Sequence, residues 1–291
     1  MDLSAVPLRR IEIHCGIEIH YVEAGTGSPL VFVHGGMGDW QSWAPQWPAF
    51  APHFRCFSYS RRFSSPNRNR LDRKDHSVFA EADDLSALID AWEAAPAILV
   101  GTSYGAYTAL ALALHAPDKV RALVLTEPPV LPFADRVSGG RAAREHFERE
   151  VLRPSDAAFA SGQTELAIGI LTGGINGADS QEAMSATGLA KRLRNSEAMR
   201  ALALSDNAYP ALDLRALAAL KVPTLLMRGA NTEAVHRATF ESLAELMPRA
   251  ETAEVRDAGH GVHRDNPGLF NEIVLHFLCE IGSNQAPWSP V

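Results

Sequence analysis

Residues 98–110 read "ILVGTSYGAYTAL": an apolar run, two glycines placed two positions either side of Ser103, then a small-residue stretch of helical character. A short run with no polar face is what a strand covered on both sides looks like, and such strands belong to parallel sheets with helices on each face. Glycines at a strand-to-helix junction mean that bulk would clash or that the backbone needs an unusual conformation. Gly101-Thr102-Ser103-Tyr104-Gly105 also fits G-x-S-x-G, in which a sharp turn projects a serine clear of the sheet. The helix beyond aims free amides and its positive dipole end at charge developing beside that serine. Five-residue patterns recur by chance, so the strand before and the helix after carry the weight. Ser103 is the predicted nucleophile; the competing reading is a packed elbow without chemistry.

The same strand character recurs on either side. "PLVFVHGG", "FRCFSY", "RALVLTE" and "PTLLMRG" are β-branched or leucine-rich, and "AETAEV" is a shorter candidate. "RRIEIHCGIEIHYVEAG" alternates isoleucine with polar residues around Gly16 and reads as an N-terminal hairpin. Helix candidates cover 78–94, 104–116, 233–247 and 267–281. A hairpin followed by strand–helix repeats predicts an α/β fold: a mostly parallel, doubly wound sheet with right-handed crossovers. From Pro132 to Leu220 no strand is evident, only segments such as "GGRAAREHFEREVL", "TELAIGILT" and "GLAKRLRNSEAMRALAL". A helical stretch of that length between two strands reads as an inserted all-helical cap. The expected division is a core of residues 1–131 and 221–281, a cap of 132–220 and a flexible tail of 282–291.

A serine hydroxyl needs a general base. His260, in "VRDAGHGVHRDNP", lies in a glycine-rich loop after the last strand, at the sheet edge that also carries Ser103. His263 competes, with a surface or helix-entry role as its plainer reading. His34 follows a strand in "FVHGG" and reads as a loop-ordering residue, while His115 falls inside the helix after Ser103. The base in turn needs a carboxylate to fix its tautomer. The loop after "PTLLMRG" reads "ANTEAVHR"; its single acid, Glu233, falls where a helix begins and suits a first-turn charge. "VRALVLTEPPV" instead ends a strand on Glu127, and the two prolines rigidify the exit. Glu127 is the predicted acid, with Glu233 the alternative and an ion pair at the cap hinge the structural one.

Composition limits what else the chain does. Hydrophobic residues make up 46% and charged residues 21%, as in soluble globular proteins. A formal charge of −7, with only the short basic stretch "SRRFSSPNRNRLDRK", argues against nucleic-acid binding. Cys15, Cys56 and Cys279 have no paired spacing, which fits a reducing, cytoplasmic setting without disulfides. No secretory h-region or membrane-length apolar run is evident, so no membrane partner is expected. No HExxH, Walker or full G-x-G-x-x-G pattern occurs, so neither a metal nor another cofactor is expected. Oligomeric state is open, with a homodimer among the options.

Taken together, the chain resembles the α/β-hydrolases with a helical cap from about residue 8 to residue 281. "HGGMGDW" resembles the family's oxyanion loop, "GTSYG" its elbow and "DAGHGVH" its histidine loop. That resemblance implies oxyanion donors at the backbone N–H groups of Gly36 and Tyr104. Removing one such donor costs about 3 kcal/mol of transition-state stabilisation. Within the family, certain haloalkane dehalogenases and the zearalenone-type lactone hydrolases carry the acid after the earlier strand. Serine in place of aspartate argues against the former, and "RGANTEAVHRATF" looks like the acid-free loop of the latter.

The expected activity is therefore cofactor-free hydrolysis of a small, apolar carboxylic ester or lactone. Two rivals stand beside it. The same residues could serve C–C bond hydrolysis or cofactor-independent oxygenase or lyase chemistry, or the pocket could belong to a ligand sensor with weak turnover. Around the site, Trp40 and Trp43 could line a pocket or pack the first helix. Arg61 or Arg62 could meet a substrate carboxylate or hold a loop. "AIGILTGGING" combines an apolar helix with a glycine-rich turn, a candidate hinge or portal.

Overall fold

The computed structural model describes residues 2–71, 76–177 and 185–284. Eight strands form one sheet: β1 (Arg9–Glu12), β2 (Glu18–Ala24), β3 (Pro29–Val33), β4 (Arg55–Tyr59), β5 (Ala97–Thr102), β6 (Val120–Thr126), β7 (Thr224–Gly229) and β8 (Glu251–Val255). Their spatial order is β1-β2-β4-β3-β5-β6-β7-β8. The hairpin β1–β2 and the β2–β4 pair are antiparallel. From β4 through β8 every pairing is parallel.

The apolar runs explain the layering. Side chains alternate across a strand, so a strand apolar at every position feeds two cores at once. On one face Val31, Val33, Leu99, Leu123, Leu125 and Leu226 pack with the helices Val78–Ala91 and Tyr104–His115. On the other face lie Leu30, Phe32, Val100, Val124 and Met227, with Phe270 and Val274 of the last helix. That helix runs Pro267–Asn284, three residues into the predicted tail; residues 285–291 lie outside the described residues, as do 72–74 of the basic stretch. Among the described residues, no helix is long and apolar enough to cross a membrane.

Between β6 and β7 the described residues form helices and no strand: Gly140–Phe147, Arg153–Ala160, Thr164–Asn176, Ala186–Leu193, Ser196–Ala203 and Leu214–Ala219. This region is anchored on the elbow helix, where the Tyr104 hydroxyl donates to the Ala208 carbonyl and Tyr107 donates to Pro210. "AIGILTGGING" departs from the predicted turn. Gly173 and Gly174 continue the helix Thr164–Asn176, because Gly174 packs where a Cβ would strike Val151. The left-handed residue that ends this helix is Gly177, at φ +81°.

Because β3 and β5 to β8 run parallel, their carboxyl ends share one rim. Along it follow His34–Gly36, Ser103, Glu127, the Gly229–Thr232 turn and, five residues past β8, His260. In open α/β sheets, ligands bind at this rim.

Candidate active site

Ser103 sits at φ 51°, ψ −125°, a conformation most residues avoid. Close packing enforces the turn. A Cβ on Gly101 would stand 2.7 Å from the Ala106 backbone, and one on Gly105 would collide with the carbonyls of Val33 and His34. The glycines therefore allow the helix Tyr104–His115 to seat directly on the end of β3. Ser103 N–H donates to the Thr126 carbonyl at 2.8 Å, tying the elbow to the end of β6.

Glu127 follows immediately, fully buried and also left-handed, at φ 44°. Its Oε1 accepts from the Gly229 amide at 2.8 Å, and its Oε2 from the Thr232 hydroxyl and from His260 Nδ1, each at 2.7 Å. Burial, the largest influence, raises its pKa, while His236, Gly229, Thr232 and Arg228 pull the other way. Three donors on one buried carboxyl suit the ionised form. The loop after β7, where an acid was sought, thus supplies the receptor for an acid from the neighbouring strand.

His260 is buried, and burial foremost, then Arg264, draws its pKa down to about 4. With Glu127 accepting from Nδ1, the remaining nitrogen, Nε2, is the basic one. It is buried and has no hydrogen-bond partner among the described residues, Ser103 included. His236 stacks on the His260 ring, centroids 4.0 Å apart and planes at 27°, and makes a T-shaped contact with Phe147.

Ser103, Tyr104, Gly36 and His260 all line one cavity of about 500 Å³. Its apolar wall includes Met37, Leu131, Phe147, Leu152, Ile175 and Leu202, drawn largely from the helical region. Asp39, Lys191, Arg194 and Asn195 give it a polar side. Tyr104 is the first residue of its helix, where the amide has no intrahelical acceptor.

The other residues singled out in the sequence have other partners, although His263 lines the same cavity. Glu233 is exposed at the start of the helix Ala234–Leu246 and does not reach His260. His263 packs its ring on Trp43 and Phe270, while its carbonyl accepts from Gln46. Trp43 is buried against Phe32, and Trp40 packs on the same core, so both serve the fold. Neither arginine is available to a substrate: Arg61 is buried against Glu81, and Arg62 forms a two-pronged pair with Asp84.

Glu127, His236 and His260 also bring possible metal-ligand atoms within 4.8 Å of one another. Stacked imidazoles hold their lone pairs in near-parallel planes that do not converge on one ion, and hydrogen bonds already engage both oxygens of the carboxylate. Proton transfer fits this geometry better than ligation.

A sequence profile of the "alpha/beta hydrolase fold" family matches residues 28–267. The chain is an α/β-hydrolase. It is 36% identical over 123 residues to the 2-hydroxymuconate semialdehyde hydrolase of Pseudomonas sp. (strain CF600), a match covering 39% of this chain and 41% of the relative. The chain thus spans about two fifths of the length of the first curated relatives it matches. Against Bacillus subtilis carboxylesterase YbfK, identity is 25% over 265 residues, covering 86% of this chain and 80% of the relative. Among solved structures, the Burkholderia xenovorans LB400 enol-lactonase superposes with a TM-score of 0.76 at 22% identity. That superposition covers 93% of this α/β-hydrolase and 100% of the other chain.

What the sequence did not disclose in this α/β-hydrolase is the supporting layer: Gly229, Thr232 and His236. The signal present was a loop, "RGANT", with a glycine at the strand end and a hydroxyl where an acid was expected.

Proposed function

We propose that this protein is a serine hydrolase that cleaves a carboxylic ester or lactone of largely apolar body, without a cofactor, through an acyl-enzyme. The observation that carries the reading is the buried 2.7 Å contact between His260 Nδ1 and Glu127 Oε2, on the cavity that Ser103 lines. Ser103 Oγ bonds to the substrate carbonyl carbon while its proton passes to His260 Nε2. Glu127 holds the Nδ1–H tautomer and stabilises the imidazolium. The carbonyl electron pair moves onto oxygen, which accepts from the Gly36 and Tyr104 amides. Collapse breaks the ester C–O bond, and the leaving oxygen takes the proton from Nε2. Water then repeats the sequence on the acyl-Ser103, releasing the carboxylic acid and restoring the hydroxyl. In a lactone the leaving alcohol stays tethered to the acyl group.

Ser103→Ala should abolish turnover of short p-nitrophenyl esters and labelling by a fluorophosphonate probe. Labelling that survives in this variant would remove Ser103 from the mechanism.

One observation favours a second reading. His260 Nε2 makes no hydrogen bond to Ser103, which also suits a site where the imidazole acts on substrate directly, as in C–C bond cleavage. A mass shift of one acyl group on Ser103 during ester turnover discriminates, since base-only chemistry leaves the serine unmodified.

A further inference from the structure

Arg61 is 1% exposed and does not line the cavity, yet it touches both residues whose amides face the proposed oxyanion. Its Nη2 donates to the carbonyls of Gly35 and Gly36, each at 3.3 Å, and its guanidinium lies 5.1 Å from the centre of the Tyr104 ring. The Gly35 carbonyl also accepts from His34 Nδ1 at 2.8 Å and from the Gly38 amide at 3.1 Å. The His34 tautomer is set by its other nitrogen, Nε2, which accepts from the Arg61 backbone N–H at 2.9 Å. Burial, then Arg61, draws the His34 pKa to about 3, so it stays a neutral donor.

The Gly35 carbonyl and the Gly36 N–H belong to one planar, trans peptide and point in opposite directions. Donors that seize the carbonyl therefore fix where the N–H points. A cation on that carbonyl also polarises the peptide and strengthens its N–H as a donor. The peptide lies beside the nucleophile: a Cβ on Gly35 would sit 3.3 Å from Ser103 Cβ. Glu81, buried and 3.0 Å from Arg61 Nη1, balances the charge. Burial works to raise the Glu81 pKa, but Arg61, with help from His76 and Arg62, brings it to about 2. Buried ion pairs add little stability over apolar residues of similar volume, so stability alone gives no reason for a cation at this place.

We propose that Arg61 is a positioning residue for the oxyanion hole, holding the Gly35–Gly36 peptide by its carbonyl so that its N–H faces the cavity as a strengthened donor. The inference rests on the acyl-transfer reading above.

The test compares wild-type protein with Arg61→Lys, which keeps a cation beside Glu81 but loses the two-carbonyl reach, and with the neutral pair Arg61→Met/Glu81→Gln. Arg62→Gln serves as control. Each is assayed on a short p-nitrophenyl ester and with a trifluoromethyl ketone, whose adduct with serine is a tetrahedral oxyanion. Both Arg61 variants should lose about 100-fold in kcat at unchanged KM, and ketone affinity should fall by the same factor, while Arg62→Gln keeps wild-type kcat. Folded Arg61 variants with kcat and ketone affinity within twofold of wild type would overturn the proposal, as would a loss confined to KM. If the neutral pair does not fold, Arg61→Lys decides alone. A wild-type protein that neither turns over any ester nor reacts with a fluorophosphonate overturns the acyl-transfer reading instead.

Discussion

Glu127 occupies a left-handed conformation that costs about 1 kcal/mol or more, and the surroundings hold it there. Its amide donates to the Met227 carbonyl at 3.1 Å, and its side chain meets the Gly229 amide, the Thr232 hydroxyl and the His260 ring. In Glu127→Gln, the amide oxygen would stay on Gly229 N–H, leaving the NH2 to face His260 Nδ1. That nitrogen would then have to accept, moving the ring proton to Nε2, which could no longer take a proton from Ser103. The expected outcome is a loss of about 10³- to 10⁴-fold in kcat with the fold intact by circular dichroism. Glu233→Gln, at an exposed helix start, should leave kcat unchanged. Steady-state kinetics of the pair checks the assignment; a large loss in Glu233→Gln alone would reverse it.

Two glycines in different settings separate packing from propensity at the level of elements. Gly105 seats the elbow helix on β3, where an added methyl would enter the carbonyls of Val33 and His34. Gly105→Ala should cost about 3 kcal/mol, through overpacking against a backbone that cannot yield. Gly173 lies inside the helix Thr164–Asn176 with nothing within 4 Å of an added Cβ. Gly173→Ala should instead gain about 0.5–1 kcal/mol by restricting the unfolded chain. Urea unfolding midpoints of the two variants test both signs. The contrast also explains what was legible. Gly101 and Gly105 could be read correctly because a strand ends and a helix begins around them. Gly173–Gly174 was misread as a turn because the packing against Val151 that keeps the helix going comes from a distant segment. Ser103, Glu127 and His260 were visible as polar residues at or beyond strand ends. Thr232, Gly229 and His236 were not, since their roles depend on which strand end lies beside which. The arginines after β4 were open to two readings, and only the partners Glu81 and Asp84 resolve them.

At the scale of the whole molecule, His34, His236, His260 and His263 are buried and held uncharged. Burial is the leading cause in each, drawing His34, His236 and His263 to about 3 and His260 to about 4. Once unfolded, each takes a proton near pH 6.5. Between that value and the folded ones the unfolded chain binds more protons, so acidification favours unfolding. Stability from these groups is full above about pH 6.5 and is lost as pH falls toward 4, by up to about 1.4 kcal/mol per pH unit for each histidine. Most carboxylates titrate lower, so urea midpoints between pH 7.5 and 5.0 chiefly report the histidines. His236→Phe keeps an aromatic ring stacked on His260 while removing one of the four proton acceptors. Its stability should therefore decline less steeply over that range than that of the wild type, by about one histidine's share. An unchanged slope would mean that His236 is as readily protonated in the native protein as in the unfolded chain, and that the stack on His260 is a cationic one. The depressed His260 pKa carries the same sign into kinetics. In the proposed mechanism the neutral ring is the base, so the acid limb of kcat/KM should fall below pH 6.5, toward about 4. Activity would then persist in a range where the fold itself is losing stability.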